Sequence, residues 1–475
     1  MIPRIDPSYI FLLLFLISSS EAKCQWEYDY TPKKTFNSTS TSLIRSLTIQ
    51  GAQQIMLLSK EEEHLKEYLA GNTIELINLV KNEKFIDDDS LKAFLHRIVK
   101  NITRNNDIVT PRKVLVLKST KVNAYSLGDG TLVICNGLLA KLNNEKELAF
   151  ILAHEIAHWQ FNHFKQKIIQ NINAIEKYKP DLEFKSVKKS SYSLDAIRNV
   201  KRWHYNRRRF SREVELQADS LALILYSKAY DDSEYAAIAL QNLDSGISQS
   251  PFLGAGIFKD LNFKEFPFNK DWATLEQVAH YDISNYQSFH PDSSLTHPVI
   301  EYRIAELNKF NSDSTKQFVP TIDSNYAKVK MNAMFENIGS ARSNGNLDQA
   351  IYFSLRLKQR YPNNAYLTQE LGDLFLTIYN LKIDEYKIEY DEDTVGYNRE
   401  QRYVYNFVHN IKRSEIGELS YYFMNKKENF NREREEHYYL LYEICSNTAR
   451  MKMRGLVKKK YTEKFKEGDF LEAMD

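Results

Sequence analysis

Leu148-Ala149-Phe150-Ile151-Leu152-Ala153-His154-Glu155-Ile156-Ala157-His158 is an apolar run broken by two histidines four residues apart, with a glutamate directly after the first. Neither Gly nor Pro occurs from Glu145 to Gln170, and Asn143 and Asn144 precede that stretch as N-cap candidates. The spacing therefore predicts one long helix, 145–170, carrying this run on a buried face. On a helix, residues i and i+4 lie on one face about a turn apart. Both imidazoles can then reach one ion, and Glu155 stands close enough to hold a water on it.

A third ligand is expected on a second helix, 212–226, in Ser211-Arg212-Glu213-Val214-Glu215-Leu216-Gln217-Ala218-Asp219. A zinc ion that hydrolyses bonds takes three protein ligands and keeps a fourth position for water, and two histidines with a glutamate form one such set. Glu215 and Asp219 are again four apart, so one carboxylate can bind the metal while the other accepts the second N–H of a ligand histidine. Glu213 has no acid four residues later and is the weaker choice. The reading is one Zn²⁺ per chain on His154, His158 and Glu215, with Glu155 as general base and Asp219 behind a ligand. His163, five residues past His158 on a continuous helix, would turn away from the metal face.

Working outward, residues 43–106 show apolar positions at helical spacing, such as Leu65, Leu69, Leu76, Leu79 and then Leu91, Phe94, Leu95, Ile98. Val114–Leu117 and Thr131–Cys135 read as strands, and the turn signal Gly128-Asp129-Gly130 suggests that they form a hairpin. Residues 178–209 read as a basic, solvated connection. Residues 251–296 read as loops with short helices of the kind that frame a cleft. Past Val319 the chain is helical and Tyr-rich. Gly345, Ala350, Pro362, Leu371, Gly372 and Phe375 match offsets of a 34-residue tetratricopeptide unit, although 380–460 has no clear period and a plain helical tail is the alternative.

The 475 residues carry 64 basic and 62 acidic side chains, a balance that offers no footprint for nucleic acid. Cys24, Cys135 and Cys445 supply neither a disulfide framework nor a thiolate metal site. Arg4, the apolar run Tyr9–Ile17 and Ser18 to Ala22 read as a cleaved export signal. No later stretch approaches the roughly 20 apolar residues of a membrane-spanning helix. The expected organisation is a signal at 1–22, a helical segment at 23–110, a metallopeptidase domain at 111–318 and a helical, tetratricopeptide-like domain at 319–475.

Four blocks, in order, make the sequence resemble the HtpX-like zinc metallopeptidases, relatives of the CAAX prenyl proteases. They are Asn123-Ala124-Tyr125-Ser126-Leu127-Gly128-Asp129-Gly130 with Gly137-Leu138-Leu139; Glu147 to His158 with His163; Ser211-Arg212 with Glu215 to Asp219; and Thr296-His297-Pro298 with Glu301, Arg303 and Ile304. The resemblance is greatest to the exported, BepA-like branch with its C-terminal tetratricopeptide domain. It implies a mainly α, gluzincin-type zincin domain with a small sheet, and an exported protein, periplasmic in a Gram-negative bacterium and otherwise secreted. It also implies that His297 approaches the zinc, either filling its open position or stabilising the oxyanion.

Asn123, Ala124 and Tyr125 would pair with an extended substrate strand. Protein or peptide substrates that are misfolded, misassembled or flexible follow from that need for local unfolding, and a protein partner would use the C-terminal helices. A chaperone-like binding module with a latent zinc site and a dedicated peptide-processing protease are the rival readings. The retained Glu155 speaks against a latent site.

Overall fold

The computed structural model describes residues 30–58, 62–170, 194–243, 253–274, 300–309, 323–382 and 397–474. It is mostly helical with one small sheet, and its residues fall into two compact units, one drawn from 33–247 and 280–333, the other from 1–32, 248–279 and 334–475. The expected export signal and His297 lie outside the described residues.

In the first unit the chain forms α1 (Thr41–Met56), α2 (Glu63–Lys81), α3 (Asp89–Asn106), β1 (Lys113–Leu117), β2 (Ala124–Ser126), β3 (Thr131–Cys135), α4 (Asn136–Lys141) and α5 (Glu145–Gln160). Then follow α6 (Leu194–Tyr230), α7 (Glu234–Leu243) and α8 (Ile300–Asn308). The Asp88 side chain caps α3 by accepting from Leu91 N at 2.9 Å, and Asp107 closes the helix in the left-handed region at φ 53. Leu95, Ile98, Val99 and Ile102 of α3 are fully buried in the core. Burying each such side chain contributes about 1.5–3 kcal/mol.

The sheet corrects the expected hairpin. Its strand order is β1-β3-β2, with β1 parallel to β3 and β2 antiparallel to β3. Gly128-Asp129-Gly130 lies directly between β2 and β3, so it is these two strands that the tight turn joins. Gly130 adopts φ +82, which a side chain would strain, and a Cβ there would meet the Trp159 ring at 2.9 Å. β2 has only three half-buried residues, too few to show a strand pattern in the sequence.

Helix α5 is the centre of this unit. Its residues Glu147 to Ala157 are all buried, and it packs most extensively on α6. Asn144 Oδ1 accepts from Lys146 N at 2.8 Å, while Glu147 Oε2 accepts from Asn143 N and Asn242 Nδ2, both at 2.9 Å. These bonds satisfy donors at the helix start and tie it to α7.

Two helix expectations change. The predicted helix 145–170 breaks after Gln160, because Asn162 takes a left-handed φ of 52 before the chain is helical again from 163. Asn tolerates that conformation better than most residues. Conversely α6 begins at Leu194, inside the stretch read as a basic connection. No Gly or Pro falls between 194 and 230, and Lys and Arg are good helix formers, so charge alone does not end the helix.

The second unit contains residues 334–343 of α9 (Ser324–Ser343), then α10 (Leu347–Arg360), α11 (Ala365–Leu381), α12 (Arg399–Asn410), α13 (Arg413–Asn425), α14 (Glu435–Asn447) and α15 (Met451–Lys464). Ala350, Leu371 and Phe375 are fully buried, and a Cβ on Gly372 would come within 2.5 Å of the Met424 sulfur. Four of the residues that gave the repeat signal thus sit at close helix contacts, whereas Gly345 has no neighbour within 4 Å of a built Cβ and Pro362 is exposed. Residues 253–274, read as loops around the peptidase cleft, instead pack within this unit. Phe258, Phe268 and Trp272 surround Phe407 of α12 at 5.3, 5.8 and 6.3 Å. Their apolar and aromatic side chains are what draws the segment into this core.

Candidate metal centre

His154 and His158 project from α5, and Glu215 projects from α6. Among the described residues these three form a group able to hold a metal ion, their ligand atoms all lying within 4.8 Å of one another. The two Nε2 atoms are 3.0 Å apart, and Glu215 carboxylate oxygens stand 3.5 Å from that of His154 and 3.6 Å from that of His158. Ligands about 2.0–2.1 Å from a tetrahedral zinc are separated by about 3.3–3.4 Å. The three edges bracket that value, so the donor set fits zinc in both chemistry and spacing. Glu213, the rival on α6, is exposed.

Each histidine is held from behind. His154 Nδ1 lies 2.9 Å from Asp219 Oδ1, which fixes a proton on Nδ1 and turns Nε2 toward Glu215. Asp219 is itself clamped by Arg303 of α8, whose Nε and Nη2 donate to Oδ2 and Oδ1 at 2.7 and 2.6 Å. The same Nη2 is 3.8 Å from Glu215. This bidentate pair is nearly dry, with Arg303 5% and Asp219 2% exposed. Arg303 belonged to the fourth sequence block, but only the structure gives it a contact.

His158 leans instead on His163, their Nδ1 atoms 2.9 Å apart. A continuous helix would have carried His163 away, and the left-handed turn at Asn162 returns it to the back of His158. The sequence signal that could have revealed this is Asn162 itself, a residue common after a helix end.

Electrostatics follow from these partners. Burial opposes charge on His154, but the hydrogen bonds it donates to Asp219 and Glu215 outweigh it and raise its pKa. Burial, then the neighbouring His154, drives His158 down to about 3. For Asp219, burial is outweighed by the bonds from Arg303 and His154, which hold its carboxyl below the usual range. Burial lifts Glu155 to about 7, with the Glu215 charge adding to the rise and His154 and Ser126 opposing it.

The contact with Ser126 links Glu155 to the sheet. Leu127 N donates to Thr131 O and Cys135 N to Asn123 O, so in the antiparallel alternation the backbone groups of Ala124 and Ser126 face away from β3. The backbone N–H and hydroxyl of Ser126 reach the Glu155 carboxyl. Asn123 is exposed and precedes β2, while Ala124 and Tyr125 are half-buried within it at the sheet edge. The structure therefore gathers His154, His158, Glu155, Glu215 and Asp219 around one point, with the edge strand beside them.

Comparisons with known proteins agree with this geometry. Residues 89–311 match the model of Peptidase family M48. A putative beta-barrel assembly-enhancing protease of Vibrio cholerae serotype O1 is 30% identical over 94 residues, 19% of this chain and 19% of that protein. The mitochondrial metalloendopeptidase OMA1 of Bos taurus is 24% identical over 213 residues, 41% of this chain and 39% of the relative, and the OMA1 of Homo sapiens is 22% identical over 205 residues with the same coverage. The matched stretches thus span between about a fifth and two fifths of these relatives. Residues 89–311 are an M48 metallopeptidase domain.

Proposed function

We propose that this protein is a metalloendopeptidase that uses one zinc ion on His154, His158 and Glu215 to hydrolyse peptide bonds in flexible, misfolded or misassembled proteins. The observation that carries the reading is the 3.0 Å approach of two imidazole Nε2 atoms facing a buried glutamate, with a second buried glutamate, Glu155, beside them. When bound, zinc lowers the pKa of a water and polarises the substrate carbonyl. Glu155 takes the proton of the attacking water and returns it to the departing amine. Asp219 keeps His154 in the tautomer that presents Nε2, Arg303 holds Asp219 ionised, and His163 fixes the ring of His158.

β2 receives the substrate as an added strand, a mode that demands an extended chain and so selects unfolded segments. His297, three residues before α8 in the sequence, is proposed to fill the fourth metal position at rest or to stabilise the oxyanion. Export of the protein, to the periplasm or the cell exterior, is supported by the Tyr9–Ile17 run with its small-residue border. The C-terminal helices are proposed as a tetratricopeptide-like partner surface.

The deciding experiment incubates the purified protein and its Glu155→Gln variant with an unfolded protein such as reduced, alkylated casein, with zinc measured in both. Cleavage by the wild type alone, at equal zinc content, is expected. Equal cleavage by both would overturn the reading.

A further inference from the structure

We propose that the apolar pocket beyond the C-terminal end of β2 is the site that selects one aliphatic or aromatic side chain of the substrate. The inference rests on the peptidase reading above and adds a specificity determinant to it. The cavity is about 230 Å³. That is below the roughly 300–1,000 Å³ of pockets for whole small-molecule ligands, so it suits a side chain.

Its walls are mainly apolar, with Gln54, Ser126, Asn162 and Lys165 as the polar side chains among them. Leu57 and Leu58 at the end of α1, Leu65 and Leu69 of α2, and Trp159 and Phe164 after the metal-binding turn form the walls. Lys165 at the rim is already paired with Glu62 at 2.5 Å, so it leaves no uncompensated cation to recruit an acidic group. Leu57 is 81% exposed, an apolar side chain held at the mouth in water, where covering it by a ligand is favourable. Gly128 lets the strand end pack directly on Phe164 in the lining, since a Cβ there would lie 2.6 Å from the ring.

Position ties the pocket to the reacting bond. Ser126 both lines the cavity and donates to Glu155. Strand residues rise about 3.3 Å each and alternate faces. A peptide paired with the outward groups of Ala124 and the carbonyl of Ser126, its scissile carbonyl at Glu155, therefore carries a side chain to the pocket within about two residues, or ~7 Å, of the cut. Two of the walls, α1 and α2, precede residue 89 and so lie outside the matched M48 stretch. The preference is accordingly a property of this chain's own N-terminal helices.

The test maps cleavage sites in a diverse peptide library with wild type, Leu58→Trp, which fills the cavity, and Leu57→Glu, which charges its exposed mouth. Zinc content and thermal unfolding are recorded for each. Wild type is expected to favour Leu, Phe or similar residues at one position within about two of the cut. The kcat/KM ratio of Leu over Ala at that position should fall about 10- to 200-fold in Leu58→Trp, the range for hydrophobic-pocket discrimination. In Leu57→Glu the preference should move toward Lys or Arg. Should Leu58→Trp fail to fold, Leu57→Glu decides alone. Glu155-dependent cleavage with a flat profile, or a preference that neither folded variant alters, overturns the pocket and leaves the peptidase reading standing. Absence of Glu155-dependent cleavage overturns both.

Discussion

Arg303 in the metallopeptidase domain and Lys358 in the helical unit are both buried cations, 5% and 2% exposed, yet they are accommodated differently. Arg303 makes two parallel bonds to Asp219, which in turn abuts His154. Lys358 meets only neutral oxygens, Pro362 O at 2.9 Å and Thr368 Oγ1 at 2.8 Å, with its Nζ 5.8 Å from the centre of the Phe423 ring. Burial pushes Lys358 down to about 8, Asp260 opposing and Lys426 reinforcing the fall. The difference teaches that a charged interior around the candidate metal ligands is organised to hold a charge state. The same cost in the helical unit serves only local geometry.

The contrast breaks most visibly at Glu155. Glu155→Gln should lower kcat by about 10²- to 10⁴-fold or more, the span of a general base, while zinc measured by elemental analysis stays near one per chain. Glu215→Ala should instead lose most of the zinc. In the wild type, activity needs ionised Glu155, so kcat/KM should fall on acidification. The midpoint should lie below the value of about 7 held without a cation, because positive charge next to the carboxyl favours its ionised form.

Arg303→Met comes next, since removing one partner of a dry ion pair leaves the other uncompensated, at a cost of about 3–5 kcal/mol. A urea melt of the apo protein measures this. A loss under 1 kcal/mol or so would place Arg303 among ordinary surface pairs. Asp219→Asn should keep the fold and weaken zinc affinity about 10- to 100-fold, read by competition with a chelator. Unchanged affinity would reduce Asp219 to a structural acid.

Lys358→Met gives the smallest effect and the opposite sign. Between pH 8 and 10.5 the unfolded chain binds more protons than the folded one, so wild-type stability rises with pH through that window. Below about 8 the full cost is present, nominally about 3 kcal/mol, reduced by the two hydrogen bonds that the variant gives up. A net stabilisation of about 1–2 kcal/mol at pH 7, crossing zero between pH 8 and 10.5 and becoming a destabilisation of about 1–2 kcal/mol once the lysine is neutral in both states, is expected from melts across pH. Destabilisation at pH 7 would show that the Pro362 and Thr368 bonds outweigh burial.

How much of this was legible follows from where the signals are local. His154, Glu155 and His158 are read from helix periodicity, and Glu215 with Asp219 from the same four-residue rule on α6. The contacts that depend on a third element were hidden. Arg303 reaches Asp219 across 84 positions of sequence, and nothing near Arg303 announces it. His163 was misplaced because one left-handed Asn overrode an uninterrupted helical pattern. The hairpin was misassigned because β2 is three residues long, and 253–274 was assigned to the wrong unit because aromatic packing partners such as Phe407 lie far along the chain. The pocket at the end of β2 depends on four separate segments and has no motif.

Helix α5 is buried without interruption from Glu147 to Ala157, while β2 offers its outer edge to whatever comes. Amide protons along α5 should therefore exchange with deuterium only when the whole domain opens, whereas that of Ala124 exchanges through local fluctuation. Substrate and catalyst would then meet at a seam between the slowest- and fastest-exchanging parts of the domain. A bound peptide would be recorded as slowed exchange on one side of that seam only.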